Sequence, residues 1–152
     1  MAHIARAAAT LRISGDDLEP DEVSTLLGAT PTRAQKKGQV LGGASGVTRI
    51  AKFGMWRLEA EDTISGDLDA QVQEILGKLT DDLGIWDRLG ARYSIDLFCG
   101  WFMEEENEGM GVSASALRAL GTRGIELSLD IYTGGKEGQN PSKTVSPDSG
   151  QS

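Results

Sequence analysis

Arg92-Tyr93-Ser94-Ile95-Asp96-Leu97-Phe98-Cys99-Gly100-Trp101 is the stretch on which the fold turns: Tyr93, Ile95, Leu97, Cys99 and Trp101 alternate with Arg92, Ser94, Asp96, Phe98 and Gly100. Successive side chains of a strand point to opposite faces, so a period of two predicts a strand buried on one side. The same alternation recurs outward in both directions. Leu11 and Ile13 sit among Thr10, Arg12 and Ser14; Trp56, Leu58 and Ala60 alternate with Arg57, Glu59 and Glu61; Ile125, Leu127, Leu129 and Ile131 alternate with Glu126, Ser128, Asp130 and Tyr132. Four strands are expected, each with one apolar face.

Helical signals fill the gaps between them. Pro20 at a first helical position, Asp21 and Glu22 at the positive end of the dipole, and a stop at Gly28 frame one helix, with Leu18 placed to staple onto Val23. Leu68, Val72, Ile75, Leu76, Leu79, Leu83, Trp86 and Leu89 fall on one stripe and predict a single long helix, weakened at Gly77 and Gly84. A short helix over 114–120 ends at Gly121. Between Ala29 and Gly54 the periodicity vanishes among glycines, which predicts an irregular loop. After Thr133 the composition is that of a disordered tail.

These elements predict one α+β domain over residues 1–132, with the tail over 133–152. The expected architecture is a two-layer sandwich, a mostly antiparallel four-stranded sheet with helices on one face. Leu18, Val23, Leu26 and Gly28 match Val112, Leu117, Leu120 and Gly121 in spacing, which extends the expectation to a ferredoxin-like, duplicated βαβ unit. Helices between successive strands favour parallel pairing, so strand order stays open, and only the loop over 29–54 gives the chain room to reverse.

Composition narrows the function classes. The 152 residues carry a net charge of −8, which opposes nucleic acid and anionic membrane surfaces. No window approaches the roughly 18 apolar residues of a spanning helix. The lone cysteine, Cys99, rules out an internal disulfide and a cysteine-rich zinc site, fits a cytoplasmic setting, and lies on the apolar side of its strand. The only histidine, His3, is remote from any nucleophile, so a catalytic triad is not expected. Gly42-Gly43-Ala44-Ser45-Gly46 lacks the ending of a phosphate-binding loop, and the run Glu104 to Glu108 lacks calcium-loop spacing. No cofactor and no metal ligand set is expected.

The polar sheet face is the informative surface. Alternation gathers Arg12, Arg57, Glu59, Glu61, Arg92, Asp96, Phe98, Glu126, Asp130 and Tyr132 there. Aromatic residues among charges are typical interface anchors, so Arg12, Asp96, Phe98, Asp130 and Tyr132 are the candidate binding residues, with Trp101 added from Gly100-Trp101-Phe102 at the strand end. A solvated face crossed by ion pairs is the plainer reading of the same residues. Paired carboxylates acting as acid and base are a third, and need a cleft that separates their pKa values.

Leu11-Arg12-Ile13-Ser14-Gly15, Leu18-Glu19-Pro20-Asp21-Glu22-Val23, Leu27-Gly28, Thr30-Pro31-Thr32 and Trp56 together resemble a small bacterial family known only as domain of unknown function 4279. Asp96-Leu97-Phe98-Cys99-Gly100-Trp101-Phe102 and Leu127-Ser128-Leu129-Asp130-Ile131-Tyr132 resemble its second half. The resemblance implies a bacterial cytoplasmic protein and supplies no catalytic residue, substrate or cofactor. The expected function is a non-enzymatic protein-binding module, of immunity type by analogy. The alternatives are a small carboxylate-dependent hydrolase and a homodimeric small-ligand-binding protein.

Overall fold

The structure is a computed structural model and describes residues 6–43, 46–61, 67–104, 106 and 109–133. In chain order the elements are β1 (Arg6–Gly15), α1 (Pro20–Leu27), β2 (Arg33–Gln35), β3 (Val40–Gly42), β4 (Thr48–Ile50), β5 (Gly54–Glu59), α2 (Leu68–Gly77), α3 (Leu83–Arg92), β6 (Ser94–Met103), α4 (Ala114–Thr122) and β7 (Glu126–Thr133). Five strands form one sheet in the order β2-β5-β1-β6-β7, and β3 pairs with β4 as a separate hairpin.

The apolar positions of the alternating strands do share a face. Leu11, Ile13, Trp56, Leu58, Ile95, Leu97 and Cys99 join Val23, Leu27, Val72, Ile75, Trp86, Leu89, Ala116 and Leu120 in one buried cluster. All four helices therefore lie against this inner face. Burying side chains of this size contributes about 1.5–3 kcal/mol each, which makes the face the main source of cohesion. Leu18 and Val23 are both buried at the start of α1, and Gly28 adopts a left-handed φ of 76° that closes it.

The sheet corrects the expected topology in two respects. It has five strands, not four, although it is mostly antiparallel as expected: β1 pairs antiparallel with β5 and β6, β2 pairs antiparallel with β5, and only β6 and β7 pair parallel. The ferredoxin-like duplication is not formed, because the two halves pair in opposite senses. Between β1 and β5 lie a helix and three short strands, enough chain to reverse direction, whereas among the described residues α4 is the only regular element between β6 and β7, as in a parallel crossover. The matching leucine spacing also dissolves: Leu117 is exposed where Val23 is buried, and the left-handed residue after α4 is Gly124, not Gly121.

The single long helix is two helices. Asp82 accepts a hydrogen bond from Gly84 N–H at 2.9 Å and caps α3, while Thr80 N–H is drawn away to Leu27 O at 2.9 Å. Leu79 remains buried within the connection, which preserves the apolar stripe across a break. The stretch over 29–54 is also more ordered than expected, since it holds β2 and the β3–β4 hairpin. Pairings of three residues are too short for periodicity to reveal. Thr133 closes β7; the rest of the expected tail, residues 134–152, lies outside the described residues.

Gln71 of α2 supports the sheet from below. β5 pairs with β1 only from Thr10 onward and Ala60 N–H adds one bond to Ala9 O at 2.9 Å, which leaves Ala9 N–H and Ala7 O without a strand partner on that side. The buried Gln71 amide fills the gap, accepting from Ala9 N–H at 2.8 Å and donating to Ala7 O at 2.6 Å. One side chain thus stands in for a strand residue.

Candidate functional site

The outer face of the sheet carries a charged row that crosses all five strands. Arg33, Arg57, Arg12, Asp96 and Glu126 are successive cross-strand partners, from β2 through β5, β1 and β6 to β7. Three cations thus stand at one end and two carboxylates at the other. Like charges placed directly opposite one another oppose folding, so the row is not an arrangement that stability selects.

Opposite charges meet only at the centre of the row. Arg12 donates from Nε to Asp96 Oδ1 at 2.9 Å and from Nη2 to Asp96 Oδ2 at 2.6 Å, a bidentate fork, and Ser128 Oγ donates to Asp96 Oδ2 at 2.8 Å. The Asp96 bond raises the Arg12 pKa against the opposing effect of burial. The guanidinium also lies 4.5 Å from the Phe98 ring centroid. Asp96 is consequently held as an ion-pair acceptor, with both oxygens engaged.

Toward the far end of β6 the face becomes aromatic. Phe102 and Tyr132 are register partners whose rings stack with centroids 4.9 Å apart at 4° between planes, and Arg6 lies 4.3 Å from the Phe102 centroid on the other side. Tyr132 Oη donates to Asp130 Oδ2 at 2.9 Å, and this bond raises the Tyr132 pKa. Here the edge strand leaves its cover behind: Leu129, Ile131 and Tyr132 are 44%, 50% and 45% exposed. Two of these, Leu129 and Ile131, belong to the inner register that β6 fills with Cys99 and Trp101.

The candidate residues therefore separate into three places. Arg12, Asp96 and Phe98 form the central cluster, and Asp130 and Tyr132 form the β7 end. Trp101 lies on the opposite face, packed against the core with its Nε1 buried and unpartnered. Arg92 and Glu61 are not on the sheet face. Arg92 closes α3 and donates to Glu22 at 3.1 Å, and Glu61 lies beyond β5 and accepts from Lys78 at 3.3 Å.

Arg6, Phe102, Ser128 and Arg33 were not among the candidates. Phe102 and Ser128 are even-numbered residues that continue the outward series of their strands and were legible in the alternation, whereas Arg33 lies in a strand of three residues.

Burial pushes the Cys99 thiol up to about 12, with the Asp96 charge adding to the effect. Among the described residues no three His, Cys, Asp or Glu side chains gather to hold a metal ion. His3 and most of the acidic run Glu104 to Glu108 lie outside the described residues. No described helix is long and apolar enough to cross a membrane.

No curated protein and no solved structure matches the chain. The family model does, over residues 5–134, which take in β1 through β7 and so both the charged row and the β7 end. The chain belongs to the family described as Domain of unknown function (DUF4279).

Proposed function

We propose that this protein is a non-enzymatic binding module that takes a protein partner on β7 and the adjoining outer sheet face. The observation that carries the reading is the exposure of Leu129, Ile131 and Tyr132 on an edge strand, beside the stacked Phe102 ring and the Asp130 carboxylate. An edge strand offers unpaired backbone groups to an incoming extended segment, and side chains on both faces then supply specificity. Aromatic anchors beside a charge fit the centre of such an interface. An immunity-type role, in which the module masks a partner, is the finer form of this proposal.

The hydrolase reading has weaker support. Both Asp96 oxygens already accept hydrogen bonds, three in all from Arg12 and Ser128, which disfavours Asp96 as the base for a substrate proton. The homodimer reading rests on the same edge strand, with a second copy as the occupant. Sedimentation at two concentrations separates the two: the mass of a 16.2 kDa monomer at both supports a different partner, and a doubled mass assigns β7 to self-association. Affinity capture with the tagged chain then tests the proposal, with Ile131→Asp as the comparison. A protein retained by the wild type and lost from the variant supports it; the same retained set for both contradicts it.

A further inference from the structure

Far from β7, the β3–β4 hairpin and the outer faces of β2 and β5 enclose a cleft of about 420 Å³. Its lining includes Arg33, Arg49 and Arg57, with Leu41 and Met55 as apolar wall and Gln35 as a further polar group. Among the described residues no carboxylate lines it. Arg33 and Arg57 are direct cross-strand partners, and Arg49 is carried on the hairpin opposite Leu41. None of these three guanidinium groups forms an ion pair among the described residues. Glu59, two residues beyond Arg57, lines a different hollow with Thr30 and Lys78.

This is an unexpected place for unpaired arginines. The chain has 23 acidic residues against 15 basic ones, yet three of the basic ones line one cleft where, among the described residues, no acid pairs with them. Their mutual repulsion costs stability in the free protein, so the cluster does not serve the fold. Each guanidinium presents paired N–H donors in a rigid fork matched to phosphate oxygens. A lone carboxylate has two oxygens and cannot engage three forks, whereas two linked phosphates can. The overall negative charge repels an extended polyanion at long range, while a small ligand meets only the local field within the cleft.

We infer that the Arg33/Arg49/Arg57 cleft is a binding site for a small molecule carrying a diphosphate or two closely spaced phosphate groups, with Leu41 and Met55 contacting its non-phosphate part. The site is independent of the β7 surface, and either can fail without the other.

Titration calorimetry of the full chain with inorganic pyrophosphate tests the inference, with inorganic phosphate, citrate and a short single-stranded oligonucleotide as the other arms. Pyrophosphate is expected to bind at one site per chain and more tightly than phosphate or citrate. Arg33→Gln and Arg49→Gln alter exposed side chains and should each weaken it about tenfold or more, from loss of a charge-assisted bond. Because Arg33 stands directly opposite Arg57, Arg33→Gln relieves a like-charge pair and should keep or raise the thermal midpoint of the free protein. Tyr132→Ala should bind pyrophosphate as the wild type does. No pyrophosphate binding, binding unchanged in both arginine variants, or tighter binding of citrate or the oligonucleotide would overturn the inference.

Discussion

Arg57 stands directly opposite Arg12 across the β5–β1 ladder, and among the described residues only Arg12 of the two pairs with a carboxylate. Among those residues Asp96 is thus the one acid that pairs with a row of three arginines, and its removal should be felt beyond one ion pair. Asp96→Ala leaves Arg12 without its fork acceptor in a partly buried site and should cost about 1–3 kcal/mol. Arg33→Gln should do the opposite or nothing, staying neutral or gaining up to about 0.5 kcal/mol. Urea unfolding of the two variants checks the pair, and the informative result is a loss in Asp96→Ala with none in Arg33→Gln.

Gln71→Leu keeps volume and removes both amide bonds to β1. Ala9 N–H and Ala7 O would then be buried without partners, and the expected loss is at least about 2 kcal/mol. Amide exchange at Ala9 should accelerate in the variant, which distinguishes a frayed β1 from a general loss of packing.

Gly54→Ala tests a close approach. A Cβ at this position would come within 2.9 Å of both Gly15 O and Leu18 Cβ, where backbone leaves little room to yield. A loss of about 1–3 kcal/mol is expected from overpacking, read as a lowered thermal midpoint.

Cys99 should resist thiol reagents in the folded protein and react fully once urea has unfolded it. Its pKa is raised in the fold, from 9.0 to about 12, so between these values the unfolded chain gives up its thiol proton while the folded chain keeps it. Stability from this group is complete below 9 and declines as pH rises toward 12. Cys99→Ala should flatten that decline, a difference that unfolding curves across this range would reveal.

Much of the sheet was legible because each main strand buries one face, and Ile95, Leu97 and Cys99 announce that face by spacing alone. Strand order was not, because pairing sense depends on how much chain lies between strands, and the short β2, β3 and β4 left no periodic trace. The stripe through Leu79 concealed the break between α2 and α3, since a buried residue in a connection looks like a buried residue in a helix. Arg12, Asp96 and Phe98 were placed on one face by alternation, but the row from Arg33 to Glu126 required the register of all five strands. Trp101 followed the alternation to the inner face, away from the residues with which it was grouped.

The most direct test of the binding account is hydrogen exchange along β7, measured on the chain alone and on the chain recovered with its captured partner. The account predicts slowed exchange over Leu129 to Tyr132 in the complex, with β2 unchanged. Unaltered exchange in β7, or failure of the chain to retain any partner, would contradict it.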